Sequence, residues 1–294
     1  MPPDPINIAA ANAALRGTIF AGHLHFFPEI GSTNSHALAE AATGAPSGSV
    51  YIADQQTAGR GRGAHLWHSP PGSGLYLSIL LRPRLSPPDA LWLSLAAALA
   101  VHRAVLESAG PASKNVFPDI RWPNDLLLTD DGGHGVQKKF CGILTELSAD
   151  QTTVRHAVIG IGINVRHDSF PPELANLATS LALASGRPQQ RQPLLIALLR
   201  ALEDEIHALE TTTPVGADIL ARIPSASTWV RGKQVTVTEH GDEPTAANSF
   251  SGITAGLDPR GFLLVDTGSG IRTVLSGGVR ARTSVSESAT GAKL

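Results

Sequence analysis

The sequence predicts an α/β domain of about 225 residues followed by a small β module, and three observations carry that reading. Residues 89–109 form a helical run apolar on most sides, which belongs inside a sizeable domain. Residues 74–81, 140–147 and 154–165 read as buried strands, apolar and bounded by turn residues. After Pro224 the texture changes to short strands separated by Gly, Pro and Asp turns.

Taken in order, residues 1 to about 24 form a short lead-in, with Pro2, Pro3 and Pro5 discouraging structure at its very end. Ser32, Thr33 and Asn34 are good N-cap types, and residues 35–42 read as the helix behind them. Residues 49–53 read as a strand ending where Gln55 and Gln56 lead into an arginine loop. Strand 74–81 follows; Pro87-Pro88 then opens the apolar helix and Gly110-Pro111 closes it. Further strands fall at 120–122 with 126–128, at 140–147 and at 154–165, with a polar turn over 129–138. Residues 194–209 make an amphipathic helix with its acids on one side. Segments 228–238, 250–256, 262–266 and 271–275 suit a small β-barrel of about 55 residues, and 284–294 reads as a disordered tail. The domain limits are therefore 1–225, 226–283 and 284–294.

Composition excludes several classes. A net charge of -2 over 294 residues argues against nucleic acid as the main partner. No uninterrupted apolar run is expected to cross a membrane, because Ser94, His102 and Arg103 break the strongest one. The N-terminus lacks the basic and then apolar pattern of a secretory signal. A single cysteine, Cys141, excludes an internal disulfide and fits a reducing, cytoplasmic setting. It sits in an apolar run and reads as a small core residue rather than a nucleophile.

The loop Gly59-Arg60-Gly61-Arg62-Gly63-Ala64-His65-Leu66-Trp67-His68-Ser69-Pro70 carries the strongest chemical signal. Its glycines make unusual backbone conformations accessible but cost entropy to fix. From Gln55 to Pro88 there is no Asp or Glu, so the positive charge is local and suits one bound phosphate. Gly160-Ile161-Gly162-Ile163-Asn164-Val165 is no dinucleotide fingerprint, since Val165 takes the place of the third glycine and no helix follows. Gly160 and Gly162 instead mark close approach to a buried sheet. His65 and His68 lack a third ligand at helical spacing, so no metal site is expected. In Arg121-Trp122-Pro123-Asn124-Asp125 a proline fixes a bend before two polar side chains, suited either to orienting a ligand or to an Asx-turn. Lys139, ahead of strand 140–147, reads as a strand-edge charge or as a point charge for phosphate.

In order, Ser32-Thr33-Asn34, Gln55-Gln56-Thr57-Ala58-Gly59-Arg60-Gly61-Arg62, Trp67, Ser69-Pro70, Leu75-Tyr76-Leu77-Ser78, Arg121-Trp122-Pro123-Asn124-Asp125, Lys139, Gly142-Ile143-Leu144 with Glu146, and Gly160-Ile161-Gly162-Ile163-Asn164 resemble the biotin protein ligases over most of residues 26–165. The resemblance implies an α+β fold: a class II synthetase-like mixed sheet with helices, followed by a small SH3-like β-barrel. It implies that biotin and Mg-ATP give biotinyl-5′-AMP and pyrophosphate, and that the adenylate then acylates a lysine of a biotin carboxyl-carrier domain of a carboxylase such as acetyl-CoA carboxylase. By that resemblance Ser32, Thr33, Asn34 and Gln56 meet the polar groups of biotin, and Gly142 and Gly160 let its ring lie against the sheet. Arg60, Gly61, Arg62 and Lys139 serve biotin's carboxylate and the acyl phosphate; Trp67 and Asn164 serve the nucleotide. Asp125 orients the incoming amine or a magnesium water. Catalysis thus falls to Lys139, Arg62 and Asp125, with no resident metal among the protein's ligands. Homodimer formation stays open.

The sequence departs from the family's pattern at three places. Arg121 stands where lysine is usual, and Gly63-Ala64-His65 replaces a continuation that commonly carries another arginine. Only about 25 residues precede the first motif, too few for the helix-turn-helix domain of many relatives, so no sequence-specific DNA binding is expected. A lipoate ligase is the rival reading; the tandem Gly-Arg pairs, the Trp-Pro-Asn-Asp bend and the C-terminal module count against it.

Overall fold

The computed structural model describes residues 4–63, 65–109, 116–129, 136–239, 245 and 248–282. The chain opens with helix α1 (Ile8–Ala14), strand β1 (Leu24–Ile30), helix α2 (Thr33–Ala42) and strands β2 (Val50–Gln56) and β3 (Gly74–Leu81). A 3-10 turn leads into helix α3 (Leu91–Ala109), then strands β4 (Asp119–Arg121), β5 (Asp125–Thr129), β6 (Gln137–Ala149) and β7 (Val154–Asn164). Helices α4 (Leu181–Ser185), α5 (Arg191–Thr211) and α6 (Ala217–Ala226) follow. The C-terminal strands are β8 (Arg231–Thr238), β9 (Ser249–Leu257), β10 (Leu263–Asp266), β11 (Ile271–Val274) and β12 (Gly278–Ala281).

Seven strands build one mixed sheet in the order β1-β2-β3-β7-β6-β5-β4. β1 and β2 run parallel with α2 as the crossover between them, and the other neighbours are antiparallel. β3 is buried at all eight positions because both of its faces are covered, which explains its unbroken apolar run. Its alternate residues divide two cores. Leu75, Leu77, Ile79 and Leu81 join the large cluster with α3 and α5; Leu80 joins Tyr51, Val158 and the α2 residues Ala37 and Ala41.

Two expectations change here. The stretch Pro87–Ser108 is long and apolar enough to cross a membrane by length and composition, contrary to the sequence reading. Its side chains are taken up by the sheet and by α5 and α6, so its apolarity is that of a core helix. The lead-in also contains a helix. α1 is capped by Asn7, whose side chain accepts from the Ala10 N–H, and it packs on α5 and β1 with Ala11 and the following Leu15 fully buried. Its seven residues carry too short a periodicity to stand out.

The C-terminal strands pair antiparallel in the order β11-β10-β9-β8-β12. The outer strands β11 and β12 do not pair with each other among the described residues, so the module is an open five-stranded sheet where a closed barrel was expected. It is not a separate body. Val235, Val237, Leu263 and Val265 belong to the same core cluster as α3, and Trp122 Nε1 donates to the Gly261 carbonyl at 2.9 Å. The tail at 284–294 and most of the turn at 129–138 lie outside the described residues.

Candidate active site

The site forms on the sheet face that carries α2, where the strand register sets out its floor. Ser78 of β3 pairs with Gly160 of β7, which pairs with Leu144 of β6; one step along, Tyr76, Gly162, Gly142 and Asp125 lie side by side across four strands. Directly paired residues share a face, so the glycines leave a flat strip of backbone that bears no side chains of its own. The cleft over it is open to solvent and spans about 430 Å³ of empty space. It is lined by Ser32, Thr33, Asn34 and Gln56 on one wall, and by Arg60, Gly61, Arg62, Trp67, Asn124 and Lys139 on the other.

The first wall is a helix N-terminus wired to the sheet. Ser32 caps α2 and accepts from the Ser35 N–H. Gln56 Oε1 accepts from the Thr33 N–H at 2.9 Å and from its hydroxyl at 3.1 Å, while Gln56 Nε2 donates to Ser69 Oγ at 3.0 Å. The buried Ser78 hydroxyl lies 2.6 Å from Asn34 Oδ1 and 2.8 Å from Thr33 Oγ1. Asn34 Nδ2 donates to Glu146 Oε2 at 3.0 Å.

The second wall is the arginine loop, folded back as a narrow hairpin: Gly61 N–H donates to His65 O and Trp67 N–H to Gly59 O, both at 2.8 Å. Arg60 forms a two-pronged pair with Glu146 at 3.0 and 2.8 Å. Arg62 Nη1 donates to the Gly277 carbonyl of the C-terminal sheet at 2.7 Å. Lys139 Nζ lies 2.5 Å from Asp125 Oδ1 and 5.2 Å from the centre of the Trp67 ring. Arg121 takes the other Asp125 oxygen at 2.6 Å and stacks over Trp229. Burial pushes the Asp125 carboxyl up, but Lys139 and then Arg121 outweigh it and hold it below the usual carboxylate range.

Most predicted residues therefore converge, with three differences. Gly142 and Gly160 do allow close approach to the sheet, but protein side chains use it. A β-carbon on Gly160 would lie 2.1 Å from Asn34 Oδ1, and one on Gly142 would lie 2.9 Å from the Trp67 indole. Asn164 does not line the cleft; it is buried, and its Nδ2 donates to Thr179 O at 3.0 Å, holding the chain beyond β7. Asp125 faces a cation with each oxygen, Arg121 on one and Lys139 on the other. Sequence reasoning had given Asn124 only a shared part in the proline bend and Glu146 no role. Asn124 Nδ2 donates to Ile143 O at 2.8 Å and Glu146 joins the two walls. Trp67 Nε1 is buried over Gly162 without a hydrogen-bond partner, an unsatisfied donor on a residue that lines the cleft.

Residues 26–164 match the Biotin/lipoate A/B protein ligase family, and residues 231–279 match the Biotin protein ligase C terminal domain. The chain is 34% identical to the bifunctional ligase/repressor BirA of Bacillus spizizenii over 93% of its length and 78% of that protein's. It is 35% identical to the biotin–[acetyl-CoA-carboxylase] ligase of Mycobacterium tuberculosis, covering 85% of this chain and 86% of that one. Its fold is similar to the biotin protein ligase of Aquifex aeolicus in complex with biotin and ATP, with a TM-score of 0.70, 27% identity, and coverage of 89% of this chain and 100% of that one. The chain belongs to the biotin/lipoate A/B protein ligase family. Within it, the catalytic region, the C-terminal domain and the nature of these relatives place it among the biotin protein ligases.

Proposed function

We propose that this chain joins biotin to a lysine of a biotin carboxyl-carrier domain, by way of biotinyl-5′-AMP. The observation that carries the reading is the cleft's polarity: hydrogen-bonding groups Ser32, Thr33, Asn34 and Gln56 at one wall, and three cations, Arg60, Arg62 and Lys139, at the other. The neutral wall suits the ureido group of biotin. The cationic wall suits the place where a carboxylate meets the α-phosphate of ATP.

A carboxylate oxygen attacks the α-phosphorus, the bond to the bridging oxygen of pyrophosphate breaks, and pyrophosphate leaves with that electron pair. The carrier's lysine amine then attacks the acyl carbon; AMP departs and the amine loses its proton. Negative charge builds at phosphorus in the first step. Lys139 and the loop guanidinium stabilise it more strongly than they stabilise the separated reactants. Asp125 stays ionised at neutral pH and fixes where the Lys139 ammonium sits. Arg121 satisfies the remaining oxygen, a task its planar head performs while stacked on Trp229. Trp67 supplies an indole N–H and an aromatic face for the nucleotide.

Magnesium enters this scheme as the counterion of ATP, part of the substrate. The carboxylates at the cleft do not fit a resident cation, since Asp125 faces Lys139 and Arg121 while Glu146 faces Arg60 and Asn34. A cytoplasmic carboxylase is the expected source of the carrier. The direct test is mass spectrometry of a carrier domain incubated with this protein, ATP and either biotin or lipoate. A mass increase with biotin alone is expected; modification by lipoate, or none at all, would refute the reading.

A further inference from the structure

Glu146 and the two loop arginines divide a task that their sequence does not distinguish. Both arginines sit in a Gly-Arg repeat, yet the structure gives them partners of different kinds. Arg60 presents two nitrogens to the Glu146 carboxylate at 3.0 and 2.8 Å. Arg62 is exposed and its Nη1 donates to the Gly277 backbone carbonyl at 2.7 Å. The Glu146 oxygen that meets Arg60 also accepts from Asn34 Nδ2, and Asn34 rests where a Gly160 β-carbon would lie.

Resting on the ligase reading above, we propose that Glu146 is a positioning residue that clamps Arg60 to Asn34, so that Arg60 anchors the loop while Arg62 is the guanidinium that turns to the phosphate. The electrostatics favour this division. Pulling Arg60 away would bare a carboxylate beside an incoming phosphate, and like charges at close range repel. Pulling Arg62 away bares only a neutral carbonyl at an exposed edge, which water satisfies. Charge-assisted two-pronged pairs are also stronger than a bond to a neutral carbonyl acceptor. Arg60 stands at the base of the hairpin, bridged to Leu66, so holding it fixes the backbone N–H groups of the turn without spending its charge on the ligand. Through Asn34 the same carboxylate sets the biotin wall, which links occupancy of that wall to the order of the loop.

The test compares Glu146→Gln, Arg60→Gln and their double variant with Arg62→Gln. It uses pyrophosphate release, the biotin KM and trypsin cleavage at the Arg62–Gly63 bond. Glu146→Gln and Arg60→Gln are each expected to raise the biotin KM about tenfold, with the adenylation rate constant within about threefold of wild type. The double variant should be no worse than either single one, because both remove the same contact. Glu146→Asp should recover part of the loss. Arg62→Gln should instead slow adenylation itself and speed escape of the adenylate. Additive effects of the two clamp changes, or a large fall in the rate constant for Arg60→Gln in the Glu146→Gln background, would overturn the proposal by placing Arg60 on the phosphate. The protease arm needs no activity. Cleavage should accelerate about tenfold on loss of the clamp, in line with a locally opened loop. Unchanged cleavage in Glu146→Gln refutes the clamp, whereas a wild-type protein that makes no biotinyl adenylate refutes the ligase reading and leaves the clamp to the protease result.

Discussion

The two walls of the cleft differ in how firmly they are held. The α2 wall carries neutral groups whose hydrogen bonds close on one another, Thr33 to Gln56 to Ser69 and Ser78 to Asn34 to Glu146, with every partner but the loop residue Ser69 in a helix or strand. The arginine wall carries cations on or beside a glycine-rich hairpin: Arg60 is held by Glu146, while Arg62 and Lys139 are engaged by groups that a phosphate would have to replace or share, the Gly277 carbonyl and Asp125. Recognition is therefore preorganised on one side, while the chemical side must exchange partners as substrate arrives. Preorganised groups give specificity with little reorganisation, and exchangeable ones let a closing loop respond to charge.

The largest expected effect lies in the exchangeable wall. Lys139→Ala removes the ammonium that Asp125 holds, and it should slow adenylate formation about a hundredfold, close to 3 kcal/mol of transition-state stabilisation. The Asp125 carboxylate keeps Arg121, so the fold should survive. Pyrophosphate release within a few-fold of wild type would show that the cationic wall is not where charge develops.

The rear support of the loop can be separated from both walls by pH. His167 is buried and stacked on Phe170 with ring centres 4.9 Å apart, and it lies 3.4 Å from the Tyr76 hydroxyl, which itself donates to Pro70 O at the end of the loop. Burial, with the nearby His68 ring, pushes the imidazole down from 6.5 to about 4. Its folded pKa is below its unfolded one, so its contribution is complete above pH 6.5 and drains away as pH falls toward 4. Between pH 7 and pH 5 that is a loss of about 2 kcal/mol. Urea midpoints at the two pH values should differ more for wild type than for His167→Phe. An identical pH dependence in both proteins would remove this histidine from the account.

A somewhat smaller effect tests the preorganised wall. Gly160→Ala places a methyl group 2.1 Å from Asn34 Oδ1, so the amide must move off the floor and disturb its bonds to Ser78 and Glu146. The biotin KM should rise about tenfold, roughly 1.4 kcal/mol, while the rate at saturating biotin changes little. A fall in that rate with KM unchanged would mean that the walls are not separable in this way.

What the sequence revealed follows the same division. Ser32-Thr33-Asn34 was legible because side-chain oxygens that cap a helix are local, and the cap is the site. β3 was legible in full because a strand covered on both faces writes an unbroken apolar run. The glycines of β6 and β7 announced a close approach, yet their occupants, Trp67 and Asn34, come from segments that only the fold brings over them. Arg62 and Gly277 stand 215 positions apart, and no local pattern signals a bond across that interval. Asn164 misled for the opposite reason. It ends a motif at the site, but its side chain points to Thr179 O on the chain that follows. That β11 and β12 do not pair among the described residues was invisible too, since short alternating strands read alike in a sheet and in a barrel.

The smallest expected effect bears on Trp67, which belongs to the loop and lies over the floor glycines Gly142 and Gly162. Trp67→Phe retains an aromatic face over Gly142 and near Lys139 while deleting the indole N–H. In the substrate-free protein that N–H has no acceptor, so its removal relieves an unsatisfied buried donor even as some packing is lost. The two terms oppose each other, and stability should change by no more than about 0.5 kcal/mol. The same deletion should act differently once ligand is bound. If the N–H finds its acceptor on the adenylate, its loss should weaken retention of that intermediate by several-fold, the scale of one modest hydrogen bond. Thermal melts with and without biotin and ATP separate the two cases, because a ligand that binds less tightly stabilises the folded state less. A variant whose melting point matches wild type when empty and falls behind it when loaded would place the indole donor on the ligand. Equal shifts in both conditions would leave Trp67 as packing alone, and the contrast between the walls would then rest on the cations and the α2 network without it.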